Sequence, residues 1–427
     1  MVPREDYVRK IEAGFRSNPL VILTGARQVG KTTLMEMFME GKNCLWLNGQ
    51  NPEVAGLFEN FSTLERYLKI NINAGIEGWL SIDEFQYIDR ISLALKLLTD
   101  QYKGIKILCS GSSSLDILQK VEESLAGRVR LIPVYPLNFR EYLKFTDAVL
   151  EEKYGSCRQG DDINLLFPQI RVLLDEYLIY GGLPKVARVA DHGEKEELLN
   201  DILQTYLLKD VRQFVKSRDF VGFNKMLRML AAQTGNMVNV NELSNLVRLP
   251  YKTCEEYVHL LDQMFIIHLV PPFFQNKSKE ISRMNKVYFC DPGLRNVIYN
   301  SFNDIHIRTD NGQLFENYIY TELLQYYKKS QVFYYRTKDG TELDFIIAGK
   351  NQDVIPVEVK FRQIQKPSKT RAITEFSKAT PVSNAYIINR SLNQSIENQH
   401  FMQPYITGKL SPEGENVTDV TNVTRDA

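Results

Sequence analysis

The segment Gly25-Ala26-Arg27-Gln28-Val29-Gly30-Lys31-Thr32-Thr33 has the spacing GxxxxGK[ST]. Glycines in such a run let the backbone curl so that successive N–H groups converge on an anion, and a helix starting at its far end adds a partial positive charge. The expected chemistry is the binding of a nucleoside triphosphate, with Lys31 reaching the β and γ phosphates, the Thr32 hydroxyl on Mg²⁺ and Thr33 near the α phosphate. Roughly fifty residues further on, the apolar run Trp79-Leu80-Ser81-Ile82 ends in Asp83-Glu84. Asp83 would hold Mg²⁺ through water, and Glu84 would polarise a water for attack on the γ phosphate. Ser110, at the end of the run Ile105–Cys109, either senses that phosphate or caps a helix. Arg128, after Gly127, is the candidate finger onto the nucleotide ahead of Arg130, in the same chain or in a neighbour, and otherwise makes a surface salt bridge.

The C-terminal half holds a second set: Glu316, Asp344, Glu358 and Lys360. Residues two apart on a strand share a face, so Glu358 and Lys360 point the same way. Asp344 and Glu358 offer hard oxygen ligands to Mg²⁺, with Lys360 orienting a water or stabilising charge on a phosphodiester. The competing reading is a scaffold in which Glu358 and Lys360 pair on a sheet face.

These residues need elements to carry them. Apolar runs at Leu20–Thr24, Cys44–Asn48, Trp79–Asp83, Lys106–Ser110 and Arg130–Tyr135 alternate with amphipathic segments, as expected of a parallel sheet covered on both faces. Helices are expected at Ile163–Tyr180 and, past the break Gly181-Gly182-Leu183-Pro184, at Lys195–Val215. Helices Phe223–Thr234, Val240–Val247 and Thr253–Met264 and strand Phe265–Phe274 follow. They resemble a winged helix with Thr253–Met264 as recognition helix, yet Glu255, Glu256 and Asp262 on that helix disfavour phosphate contact. The alternative is a packing module between flanking domains. Beyond a short strand Val287–Cys290, the pattern reads helix Gln313–Lys328, strands Val332–Tyr335, Glu342–Ala348 and Val354–Phe361, helix Thr370–Thr380 and strand Asn384–Asn389.

The chain of 427 residues is 44% hydrophobic and 24% charged, which excludes disorder throughout, collagen and coiled coil. Its 52 basic and 52 acidic residues cancel, so nucleic-acid binding needs a local patch. Residues 271–400 carry 18 basic and 13 acidic residues, with Lys277, Lys279, Arg283 and Lys286 clustered. Cys44, Cys109, Cys157, Cys254 and Cys290 have no metal spacing and read as reduced thiols of a cytoplasmic protein, neither secreted nor membrane-associated. The five histidines show no metal spacing, and no nucleophile–histidine–acid motif supports protease or esterase chemistry.

The motifs GARQVGKTT, LSIDEFQ, LCSGSSS and LAGRV, followed by YPLNFREYL, resemble a group of prokaryotic AAA-type ATPases in which a glutamate follows the acidic-strand aspartate. DPGLRN, FENYIYTELL, YYRTKDGTELDFII and PVEVKF resemble the C-terminal domain of unknown function that those ATPases carry, and its element order resembles the PD-(D/E)xK core of restriction-type endonucleases. The expected class is therefore α/β: a P-loop AAA-type ATPase domain over 1–150, a helical lid or connector over 151–215, a winged-helix-like module over 216–275, a nuclease-like domain over 276–408 and a disordered tail over 409–427. The resemblance implies an ATP-binding and ATP-hydrolysing enzyme that uses Mg²⁺ and whose nucleotide state controls a DNA-associated, nuclease-like effector. The alternative is a switch whose inactive C-terminal half binds protein or nucleic acid. DNA and further copies of the chain are the expected partners.

Overall fold

The computed structural model describes residues 4–111, 125, 127–156, 161–206, 211, 214–274, 284–337, 339–349, 353–405 and 410. Cys157, Ser112, Ser113, Ser114, Lys277, Lys279, Arg283 and the tail from 411 lie outside them, as do 207–210 of the expected helix Lys195–Val215. The chain divides into two compact units.

The first unit holds Met1–Leu137, Leu183–Lys185 and His259–Ile266. It contains α1 (Glu5–Ser17), β1 (Leu20–Thr24), α2 (Lys31–Met39), β2 (Cys44–Asn48), α3 (Pro52–Leu57), α4 (Phe61–Asn71), β3 (Gly78–Asp83), α5 (Ile91–Gln101), β4 (Ile105–Gly111) and β5 (Val129–Pro133). The five strands are parallel in the order β2-β3-β4-β1-β5, so β1 is flanked by β4 and β5. Strand β1 is buried along its whole length, which explains its uninterrupted apolar sequence. Leu80, Ile82, Ile105 and Ile107 pack with Leu64, Leu68, Leu95 and Leu98 of the covering helices. All five expected strands form, each within a residue or two of the bounds read from the sequence. The helices α1, α3, α4 and α5 had no named counterpart in that reading.

The second unit contains α6 (Phe139–Thr146), α7 (Ala148–Ser156), α8 (Asp161–Tyr180), α10 (His192–Tyr206), α11 (Phe220–Ala232) and α12 (Val240–Val247), with the short α9 (Pro184–Ala187) and the helix α13 (Tyr251–Gln263) crossing between units. Strands β6 (Ile267–Val270) and β7 (Lys286–Phe289) pair antiparallel, and Met237 bridges to Lys286. The expected strand Phe265–Phe274 is thus shorter, because Phe265 turns with φ +55°. After α14 (Pro292–Tyr299) come α15 (Asn311–Tyr326), β8 (Val332–Arg336), β9 (Glu342–Ala348), β10 (Val354–Lys360), α16 (Arg371–Ala379), β11 (Ala385–Asn389), β12 (Gln394–Ile396) and β13 (Gln399–Met402). They build a mixed sheet in the order β12-β13-β11-β10-β9-β8, with β10, β11 and β13 parallel. The hairpin β12–β13 is an addition to the succession read from the sequence.

Helix α6 shows how this unit is fastened. Asn138 and Glu141 form a reciprocal capping box at its start. The Phe139 N–H then donates at 2.8 Å to Glu322 on α15, a carboxyl only 6% exposed. Burial pushes the Glu322 carboxyl up to about 8, against the pull of that N–H and with a small push from Glu141. A carboxyl raised above its unfolded value of about 4.3 adds stability that is complete below that value and is lost as pH climbs through the folded value. Glu322→Gln, neutral at every pH, should therefore gain on the native protein by a few kcal/mol, in order of magnitude, between pH 5 and pH 9. Thermal unfolding of both proteins at pH 5, 7 and 9 checks this, and a constant difference contradicts it.

Candidate functional site

The phosphate-binding segment leaves the carboxyl end of β1, with Thr24 accepting the Val134 N–H at 2.7 Å. Gly25 has φ +146°, and a Cβ there would lie 2.2 Å from the Val134 carbonyl oxygen, so the passing chain after β5 demands glycine. The loop continues through Ala26, Arg27 and Gln28, which takes φ +63°, and closes on Gly30 at φ +91°, the residue that starts α2. Buried Arg4 braces it, donating to the Val29 carbonyl at 3.0 Å and to the Tyr135 and Pro136 carbonyls at 3.0 and 3.2 Å. Lys31, 5% exposed, folds into the loop and donates from Nζ to the Gly25 and Ala26 carbonyls at 3.0 and 2.7 Å. Arg27 is directed elsewhere, onto the Tyr87 hydroxyl at 2.9 Å. Thr33 follows Thr32 in the first turn of α2 and is partly buried.

Strand β3 brings Asp83 to the loop. The Thr32 hydroxyl donates to its Oδ2 at 2.9 Å, the Ser110 hydroxyl donates to its Oδ1, and the Glu84 N–H donates to Oδ1 at 3.1 Å. One buried carboxylate thereby joins the first turn of α2 to the ends of β3 and β4. Glu84 is left-handed at φ +51°, a conformation that costs a non-glycine residue about 1–2 kcal/mol, and its carboxylate accepts from the Gln86 amide. The packing around that turn is tight. A Cβ on Gly49 would meet the Glu84 carbonyl at 2.5 Å, and one on Gly111 would meet Phe85 at 2.5 Å. The donor set fits Mg²⁺: a hydroxyl and a carboxylate are hard oxygen ligands that leave room for phosphate oxygens and water.

Arg128 departs from the expectation of a finger within the same chain. Its neighbour Val129 stands beside Leu20, at the start of β1, whereas the loop leaves the other end of that strand. Four strand steps of about 3.3 Å separate the two edges, about 13 Å, which exceeds what an arginine spans. Arg128 instead pairs through Nε with Asp100 at 2.7 Å, the surface salt bridge weighed as its alternative. Arg130, on β5, is exposed and is likewise held away from the loop. No local signal in the sequence pointed to Arg4 or to Pro184, whose ring lies 3.8 Å from where a Gly30 Cβ would stand. Both are distant in sequence from the motif they touch.

In the second unit, Asp344 and Glu358 lie on neighbouring antiparallel strands just past the last ladder pair, Phe345 with Val357. The strand alternation breaks here: Leu343 and Ile346 both enter the core with Ile373 and Phe376, while Phe345 stacks on Tyr320 and lies tilted against Tyr288. Asp344 Oδ2 accepts the Val359 N–H at 2.7 Å. Glu358 takes the Lys360 ammonium at 2.6 Å. Glu316 instead holds Lys286, one of the four cations Lys277, Lys279, Arg283 and Lys286 that cluster in the sequence. The Lys286 side chain is 2% exposed and lies 3.0 Å from Glu316 and 2.6 Å from Glu342, and Tyr288 donates its hydroxyl to Glu316. Burial alone would lower the Lys286 pKa, but Glu316, Asp344 and Glu342 together hold it above its ordinary value. Burial, with Glu316 adding to it, pushes Asp344 up to about 8 despite Lys286, the Val359 N–H and Lys360. Among the described residues no group of three or more His, Cys, Asp or Glu side chains stands together as a metal-binding set. Of the four residues in the expected set, Glu316 is held by the Lys286 ammonium and Glu358 by Lys360.

Residues 17–143 match the family described as AAA domain, residues 171–304 a domain of unknown function (DUF8612) and residues 311–405 a domain of unknown function (DUF4143). An uncharacterized protein of Methanocaldococcus jannaschii is 24% identical over 381 residues, 87% of this chain and 81% of that protein. An uncharacterized protein of Mycobacterium tuberculosis is 23% identical over 377 residues, 87% of this chain and 77% of the relative. A Walker-type ATPase of Pyrococcus abyssi has a TM-score of 0.45 at 15% identity, over 70% of this chain and 96% of that one. No described helix is long and apolar enough to cross a membrane. The AAA domain match, over the same residues as the parallel sheet and its phosphate loop, makes the N-terminal part of this chain a P-loop AAA-type ATPase domain.

Proposed function

We propose that the protein binds and hydrolyses ATP with Mg²⁺ and that its nucleotide state is transmitted to a C-terminal effector. The observation that carries this reading is the bonding of Asp83 to Thr32 and Ser110 at the mouth of the phosphate loop. Lys31, with the loop residues Gly25 to Gly30, holds the β and γ phosphates, and Thr33 lies beside the α phosphate. Mg²⁺ between Thr32 and Asp83 would neutralise charge on the β and γ oxygens. Glu84 orients a water in line with the γ phosphorus and accepts its proton, its carboxylate steadied by Gln86. Ser110 reports the γ phosphate to Asp83. Arg128 acts, if it acts on nucleotide, on that of a neighbouring copy, since its own loop is out of reach.

For the C-terminal half two readings stand. The order of α15, β8, β9, β10, α16 and β11 supports a PD-(D/E)xK-like fold, with Glu316, Asp344, Glu358 and Lys360 as its polar set, and its net positive charge supports a DNA-associated role. The Lys286 ammonium, bonded to Glu316 and Glu342, favours the second reading, in which this half binds its partner without cutting it. A divalent cation held by Asp344 and Glu358 would have to take Glu358 from Lys360 and would stand beside the buried Lys286 ammonium.

Lys31→Ala should weaken ATP binding by roughly ten- to a hundredfold, the worth of a charge-assisted hydrogen-bond pair, and unchanged affinity in equilibrium titration would refute the loop assignment. Glu84→Gln should keep ATP affinity while steady-state turnover falls by about a hundredfold or more. Turnover equal to the native protein's would remove Glu84 from the mechanism. Incubation of single- and double-stranded DNA with the native protein and Lys360→Ala, in Mg²⁺ or Mn²⁺ and with or without ATP, separates the two C-terminal readings. The binding reading predicts intact DNA throughout, whereas cutting that Lys360→Ala abolishes would establish the nuclease.

A further inference from the structure

A second polar cluster in the same unit lies apart from Lys286 and its carboxylates. Strands β10 and β11 run parallel, Lys360 opposite Asn389, and the chain leaves the sheet from both at Phe361 and Arg390. The Arg390 side chain is almost buried, its guanidinium carbon 4.6 Å from the centre of the Phe361 ring. Its Nη2 donates to Asp175 at 2.9 Å, while its Nη1 is buried and has no partner. Asp175 also takes His306 Nε2 at 3.1 Å, and His306 is 59% exposed, at the rim.

Arg171 stands one helical turn before Asp175 on α8, and its Nε is another buried donor without a partner. Burial raises the pKa of the Tyr405 hydroxyl, and the adjacent Arg171 and Arg390 guanidiniums pull it back. Gln403, 2% exposed, fixes its amide nitrogen on the Ser391 carbonyl at 2.8 Å, which leaves Oε1 as a buried acceptor with nothing donating to it. Arg390 and His306 thus share one carboxylate, and a second guanidinium, Arg171, stands one turn along the same helix beside Tyr405. Unsatisfied buried polar groups cost about 1–3 kcal/mol each, so their concentration in one place calls for a reason. The place itself supplies one, because open sheets bind ligands in the crevice beyond the carboxyl ends of parallel strands.

We propose that Arg390, Arg171, His306, Tyr405 and Gln403 form a pocket for a phosphate group, free or at the end of a chain, separate from the nucleotide loop. Guanidinium donors arriving from two elements suit a tetrahedral oxyanion, and the surplus of positive charge suits a dianion. The Gln403 acceptor suits a P–OH hydrogen, which free phosphate keeps as a dianion and a terminal phosphate ester keeps only as a monoanion. Free phosphate and the 5′-terminal phosphate of an oligonucleotide share this chemistry.

The test uses the full chain saturated with ADP and Mg²⁺, so that the nucleotide loop is filled. Inorganic phosphate binding is followed by calorimetry, and 5′-phosphorylated and 5′-hydroxyl oligonucleotides are compared by fluorescence anisotropy. Phosphate should bind, and Arg390→Gln and Arg171→Gln should each weaken it about tenfold or more. Asp175→Asn, which removes the competing carboxylate, should not weaken it. Arg171 makes no ion pair with Asp175 in the structure, so Arg171→Gln stays informative if Arg390→Gln melts early. Preference for the 5′-phosphorylated strand would name a polynucleotide end as the source, and phosphate binding without that preference would name the free anion. The proposal falls if the ADP-saturated protein shows neither phosphate binding nor that preference, or if both folded arginine variants bind as the native protein does. ADP affinity, measured separately, tells failure of the nucleotide loop from failure of this pocket.

Discussion

A single buried carboxylate organises the nucleotide end of the first unit. Asp83 accepts from Thr32 at the start of α2, from Ser110 at the end of β4 and from the N–H of Glu84 beside it. Three elements that leave the same edge of the sheet are held in register by it, and a buried carboxylate with that many donors is satisfied where an isolated one would cost several kcal/mol. Everything else at that edge follows. Glu84 must turn left-handed because the chain reverses immediately after Asp83, and Gly49 and Gly111 must be glycine because the reversal packs against them. Arg4 and Gly25 complete the arrangement from the other side by fixing the loop to the chain after β5.

The second unit is built around buried charge as well, with a different consequence. Lys286 is held by Glu316 and Glu342, and the strand ladder opens where Asp344 caps the Val359 N–H instead of continuing the pairing. Removing one member of such a network leaves the others charged and unpaired, which is far more costly than the network's net contribution. The cluster at Arg390 differs in having donors and an acceptor left over, and that excess is the reason to look there for a ligand.

How much of this the sequence disclosed depends on whether the determinant is local. The loop, the acidic strand end and Ser110 were readable because glycine spacing, a continuous apolar run and a polar terminus each leave a local mark. The strands Leu20–Thr24, Cys44–Asn48 and Glu342–Ala348 and the helix Val240–Val247 form with the bounds that periodicity and turn residues gave. Partners chosen by the tertiary fold left no such mark. Arg128 follows a glycine at a strand entry, and because β5 runs parallel to β1 that entry lies at the edge of the sheet opposite the loop. In the sequence Lys286 was indistinguishable from the neighbouring Lys277 and Lys279, and only the placement of β7 against α15 gives it its partner Glu316. Arg171, Asp175 and Arg390 meet across more than two hundred residues, beyond any motif.

The proposed hydrolysis requires Asp83 to hold the metal that accompanies nucleotide at the loop. Nucleotide affinity measured with and without Mg²⁺, in the native protein and in Asp83→Asn, addresses it directly. The native protein should bind ATP at least about tenfold more tightly with Mg²⁺, and Asp83→Asn should keep the metal-free affinity while losing that gain. An unaltered Mg²⁺ response in Asp83→Asn would contradict the assignment and, with it, the reading of the loop edge as a hydrolytic site.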